Sequence, residues 1–166
     1  VDRSRANPAF LFLEVFGLGI PLVAHTAIGF REISRGRPNI GRYGFLDNLR
    51  YLLQRLSAIG LALFLGAHIY KARLAPEPQF LVNGHESFAG MREAFHEPIT
   101  LTVYALGMLG IAYHLANGLQ TAATRTGLVV SNAGRKRMTS VAAVVMVLLL
   151  AMSYLSIAGF LMDHAG

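Results

Sequence analysis

The chain has 166 residues, 54% of them hydrophobic and only 14% charged, with a formal net charge of +6. Soluble domains carry about 25% charged residues, so this composition points into a membrane, and the basic excess reads as a topology signal rather than a nucleic-acid footprint. The absence of cysteine excludes disulfides, cysteine-ligated iron–sulfur clusters and covalently attached c-type haem. A redox centre here would be held without covalent attachment, with histidine as the obvious ligand. Tryptophan is also absent, which leaves an interfacial aromatic belt to tyrosines such as Tyr51 and Tyr70.

The fold class expected is all-α, an integral membrane bundle. It forms one domain over residues 1–166, with spans at about 8–30, 47–71, 98–122 and 138–162. Val1 to Asn7 is polar and leads straight into the first span, a start that suggests the remainder of a longer chain. Pro8 suits a helix start, while Pro21 inside the span should release the carbonyl of Gly17 and bend the helix. Gly17, Pro21, His25 and Gly29 recur at spacings of four and share one face. That face is either a small-residue packing seam or a surface for a flat cofactor. Glu14 is the span's single carboxylate and calls for a partner or a water-filled cavity.

Arg31 to Arg50 reads as a basic loop, broken by Gly36, Pro38, Gly41 and Gly44. Asp47 is the expected cap of the second span, which Lys71 and Arg73 close. Gln54, Arg55 and Ser57 are polar near its beginning, and His68 lies near its end. Arg55 is either a snorkelling interfacial side chain or a partner for a haem propionate. Between Ala75 and Pro98, Phe88, Met91 and Phe95 recur at helical spacing, which predicts a short amphipathic helix on the surface. His85 and His96 in this region read as solvated.

The third span, Ile99 to Thr121, has no formal charge and contains His114, with Gly118 four residues on. An imidazole at membrane depth is costly unless something binds it, and a missing side chain one turn away leaves room for a macrocycle. The same His–Gly spacing occurs at His25 and Gly29. Arg125, Arg135, Lys136 and Arg137 then form a second basic connection before a fourth span built from Ala, Val, Leu and Met. That span carries no histidine, His164 falling in the tail, and reads as a packing helix. No phosphate-binding glycine loop, nucleophile elbow or zinc-protease motif is present.

Four spans put the two basic connections on one side, which the positive-inside rule makes cytoplasmic. His25 lies roughly 26 Å past Pro8 and His114 roughly 24 Å past Pro98 at 1.5 Å per residue. Both fall in the inner half, where they could clamp one haem. His68 falls in the outer half, without a histidine at its depth, and this odd count predicts an upstream helix beyond the sequence.

The stretches FLFLEVFGLGIPLVAHTAIGF, LLQRLSAIGLALFLGAHIY and IAYHLANGL together resemble the di-haem cytochrome b membrane anchor of succinate dehydrogenases and quinol:fumarate reductases of the Gram-positive type. The likeness covers most of the chain to about Gly118. It implies five helices in the complete subunit and four haem-ligating histidines on the first four. The second, third and fourth of these fall on His25, His68 and His114. The family's first helix and first histidine have no counterpart here. The resemblance pairs the second ligand with the fourth at the cytoplasmic haem and the first with the third at the outer one. It implies two b haems, a quinone (menaquinone for this type), and a subunit that is not itself the catalytic head. It also implies a flavoprotein subunit with FAD and an iron–sulfur subunit on the cytoplasmic face of a bacterial inner membrane. Some relatives carry a glutamate two residues before the ligand matching His114; this chain has Ala112 there. Competing readings are a cytochrome b anchor of another oxidoreductase, a haem-free structural anchor, and a transport subunit using Glu14 and the histidines as a polar path.

Overall fold

A computed structural model describes residues 8–37, 41–42, 44–71, 81–82, 85–86 and 88–162. Among them, four helices are long and apolar enough to cross a membrane: Pro8–Arg35, Leu46–Ile69, Pro98–Arg125 and Asn132–Leu161. They are called the first to fourth spans below. A short helix, Phe88–His96, precedes the third span, and a small antiparallel ladder pairs Leu81–Val82 with His85–Glu86. Arg73, Glu77 and His164 lie outside the described residues, as does the side chain of His85.

Several helix ends differ from those expected. The first span continues through Arg31 to Arg35, so the basic connection is shorter than composition suggests. The fourth begins at Asn132, which places Arg135, Lys136 and Arg137 in helix rather than loop. Ser131 makes this possible, its Oγ accepting the backbone N–H of Gly134 at 3.0 Å. Arginine and lysine are themselves good helix formers, so charge alone does not end a helix. Asp47 is not the cap of the second span. Phe45 occupies the N-cap without a side-chain bond, and Asp47 sits in the first turn, 3.8 Å from Arg50. The turn between the third and fourth spans closes through Gly127, whose φ of 76° suits the only residue type without a Cβ penalty.

Pro21 disturbs the first span as its chemistry requires. The segment Leu13–Gly19 widens into a π-helix, and the backbone N–H of Ile20 reaches the carbonyl of Val15. Such widening relieves a helix whose regular ladder is interrupted by proline. No residue of the first span is buried.

The second and third spans form the centre of the bundle. They run antiparallel, with Gln54 against His114, Phe64 against Gly107, His68 against Tyr104 and Lys71 against Thr100. Gly107 is the point of closest approach, because a Cβ there would collide with the Phe64 ring. The buried cluster of Phe64, Phe95, Tyr104 and Ile157 lies toward the end opposite the basic connections. The short helix contributes Phe95, whose ring packs on Tyr104 and Phe160. The amphipathic pattern is therefore borne out, with Phe95 only 3% exposed. The fourth span does pack on the third, through Gln120–Thr139 at 2.9 Å and Tyr154 to the Ala105 carbonyl at 3.0 Å.

Lys71 closes the end of the second span, donating to Glu97 and to the hydroxyl of Thr100, which also donates to Glu97. The Thr100 hydrogen bond, then Lys71, hold the Glu97 carboxyl below its ordinary 4.5. A lowered carboxyl pKa stabilises the fold above the unfolded-state value, and that contribution is lost as pH falls through the folded value. Glu97→Gln should therefore lower the thermal midpoint of detergent-purified protein at neutral pH. The difference from wild type should vanish in acid below the carboxyl's lowered value. A pH series of melting curves checks this.

Candidate haem site between the first and third spans

His25 and His114 meet between the first and third spans with ring centroids 6.2 Å apart and planes at 87°. Imidazole nitrogens bind first-row metals at about 2.0–2.1 Å, with the ring centre ~1.1 Å behind, so two imidazoles in trans place their centroids about 6 Å apart. The observed separation would allow both rings to hold one iron. A Cβ built on Gly29 meets nothing within 4 Å, and one on Gly118 meets only the Gln54 amide nitrogen, at 3.6 Å. Protein packing therefore does not account for either glycine, and both leave open surface one turn from a histidine.

His114 is half-buried and its surroundings come from the second span. Gln54 Nε2 lies 3.2 Å from His114 Nδ1 and donates to the His114 backbone carbonyl, also at 3.2 Å. Gln54 Oε1 accepts from Asn117 Nδ2 at 2.8 Å. Ser57 Oγ stands 3.4 Å from the same Nδ1 and donates to the Gln54 carbonyl at 3.0 Å. The Nδ1 side of the His114 ring is thus occupied by the second span, and Nε2 is the nitrogen left for a metal.

His68 lies apart from this pair. It lies eleven residues beyond Ser57 on the same helix, roughly 16 Å along the axis. Its Nδ1 is 2.8 Å from the hydroxyl of Tyr104, and its ring stacks on Phe64 at 5.8 Å. Tyr104 is the neighbour of His68 that spacing did not single out. Its only sequence signal is a position ten residues before His114, which places it opposite His68 once the antiparallel register is known.

Arg55 is at the basic end. It donates to the Glu32 carbonyl at 2.9 Å and lies over the Tyr51 ring at 4.0 Å, and a Cβ on Gly36 would collide with both side chains. It thereby ties the end of the first span to the second. Glu14 lies on the π-helical stretch and lines a groove of about 570 Å³ with Leu11, Val15, Gly19, Ile20 and Val23. His96 is exposed, and its Nδ1 lies 2.9 Å from the Arg92 carbonyl of its own helix. Among the described residues no group of three or more metal-ligating side chains occurs. A haem would not need such a group, since the macrocycle supplies four donors and a pair of histidines from two helices can complete the set.

Residues 31–154 match the family described as the succinate dehydrogenase/fumarate reductase transmembrane subunit. The chain belongs to this family. As a succinate dehydrogenase/fumarate reductase transmembrane subunit it is a membrane anchor, in agreement with its four apolar helices. It is 28% identical over 145 residues to the succinate dehydrogenase cytochrome b558 subunit of Bacillus subtilis (strain 168), covering 87% of this chain and 68% of that protein. No solved structure matches it significantly. His25 lies ahead of the stretch matched by the family, whereas His68 and His114 lie within it.

Gln54 joins three groups of the third span in one contact. Gln54→Leu should leave the Asn117 amide and the His114 carbonyl without their partner and cost about 1–3 kcal/mol. A lowered thermal midpoint in detergent, with the spans still inserted, is the expected result.

Proposed function

We propose that this anchor holds a b-type haem between His25 and His114 and passes electrons from an iron–sulfur partner toward a quinone. The observation that carries the reading is the facing of two imidazoles from different spans at 6.2 Å. When bound, the haem iron supplies one-electron redox chemistry. His25 and His114 would hold its iron, and Gly29 and Gly118 would leave room beside it. Arg55 retains guanidinium donors beyond the one given to Glu32, and these would serve a propionate at the basic end. His68, held by Tyr104, would ligate a second haem. Reduced-minus-oxidised spectra of membranes carrying the complex test this reading. Wild type should show b-type haem, and His25→Ala or His114→Ala should each remove the same one component. Loss of different components in the two variants, or of none, overturns it.

The basic connections support a cytoplasmic placement in a bacterial inner membrane, facing a flavoprotein with FAD and the iron–sulfur subunit. Quinone, menaquinone in this type, reacts at this subunit toward the opposite side. Glu14 lies roughly 9 Å inside the outer end of its helix, and its groove is walled by aliphatic side chains. Quinone reduction takes up two protons with two electrons, and a carboxylate within the membrane can relay them. Electrons then move outward across the bilayer, so a potential negative inside assists by up to about 2.3 kcal/mol per charge per 100 mV. Glu14→Gln should depress succinate:quinone reductase activity with haem content unchanged, and an uncoupler should slow the reaction in wild-type membranes. Full activity in the variant removes Glu14 from the path. Indifference to the uncoupler moves the quinone to the inner haem, beside Gln54 and Ser57.

A further inference from the structure

A histidine that ligates a metal through Nε2 carries its remaining proton on Nδ1, and that proton needs an acceptor. Two groups stand at His114 Nδ1, the Gln54 amide nitrogen at 3.2 Å and the Ser57 hydroxyl at 3.4 Å. Their hydrogen-bond networks give them opposite characters. The Gln54 amide nitrogen donates to the His114 carbonyl, and its oxygen accepts from Asn117. Turning the amide over would set its oxygen against the His114 carbonyl oxygen, acceptor against acceptor. Gln54 therefore presents a donor to Nδ1, which suits a ring whose proton is on Nε2 and cannot serve one protonated at Nδ1. Ser57 is the reverse. Its own proton is committed to the Gln54 main-chain carbonyl at 3.0 Å, which leaves the oxygen lone pairs for Nδ1.

We propose that Ser57 is the positioning residue of His114, its hydroxyl oxygen accepting the Nδ1 proton whenever Nε2 ligates iron. This inference rests on the haem reading above. The two neighbours then serve two tautomers of one ring, Gln54 the metal-free form and Ser57 the ligated form. The exchange needs no backbone movement, because both groups already lie at Nδ1. An acceptor at Nδ1 raises the basicity of the ligating nitrogen, so it stabilises ferric over ferrous iron.

The test uses the whole membrane complex carrying wild-type, Ser57→Ala or Ser57→Thr chains, with potentiometric titration of each haem and haem retention during washing in detergent. Ser57→Ala should shift the midpoint potential of the inner haem upward and weaken its retention about 10–100-fold. The haem at His68 should be unchanged, which reports an intact fold. Ser57→Thr keeps the hydroxyl and should restore both properties. An unchanged inner-haem potential and retention in Ser57→Ala overturns the proposal, as does a threonine variant that behaves like alanine. His25→Ala serves as the control for the haem reading. If it removes no haem, that reading fails and the proposal fails with it; if it removes the inner haem while Ser57→Ala changes nothing, only the role of Ser57 falls.

Discussion

An imidazole inside a bilayer must have its polar nitrogens answered, and the pairing of the second and third spans is arranged around that demand. At one height Gln54 and Ser57 of the second span meet His114 of the third. At another the relation is inverted, and Tyr104 of the third span meets His68 of the second. Between these levels Phe64 lies against Gly107, where the absence of a side chain lets the helices close. Packing in lipid has little hydrophobic drive between helices, so small residues and interhelical hydrogen bonds set the register. In this protein the same contacts orient the histidines.

The first span stands apart from this pairing. None of its residues is buried, and its links to the second span lie at the basic end, through Arg55 to the Glu32 carbonyl and beneath Gly36. His25 faces His114 across an opening that protein side chains do not fill at Gly29. A cofactor between these helices would supply contacts that the polypeptide does not make for itself. The π-helical turn ahead of Pro21 belongs to the same logic, since it carries Glu14 and changes the face that carboxylate presents. His25, Glu14 and the helix distortion thus fall on one element, with the paired second and third spans beside it.

Most of the architecture was legible in the residues. Apolar runs long enough to cross a bilayer are set by a length requirement that local sequence answers directly, and four such helices are present. The His–Gly spacing in two spans, together with depth counted from helix starts, brought His25 and His114 to one level. The ends of the helices were less legible. Arginine and lysine favour helix while also marking interfaces, so Arg31–Arg35 and Arg135–Arg137 read as connections although they continue the helices. Asp47 looked like a cap, but the chain turns at Phe45, and capping depends on φ and ψ at a residue rather than on its type alone.

What sequence determined, then, was the membrane class, the number of spans in these residues, the candidate ligands and their depth. These follow from composition, hydropathy and a fixed rise per residue, none of which depends on where other helices lie. Tertiary structure alone decided the partners of each candidate site residue. Tyr104 at His68, Ser57 and Gln54 at His114 and Arg55 at the Glu32 carbonyl all depend on the rotation and sliding of one helix against another. That register emerges from side-chain contacts such as Phe64 on Gly107, between residues 43 apart in the chain, and no local spacing rule contains it.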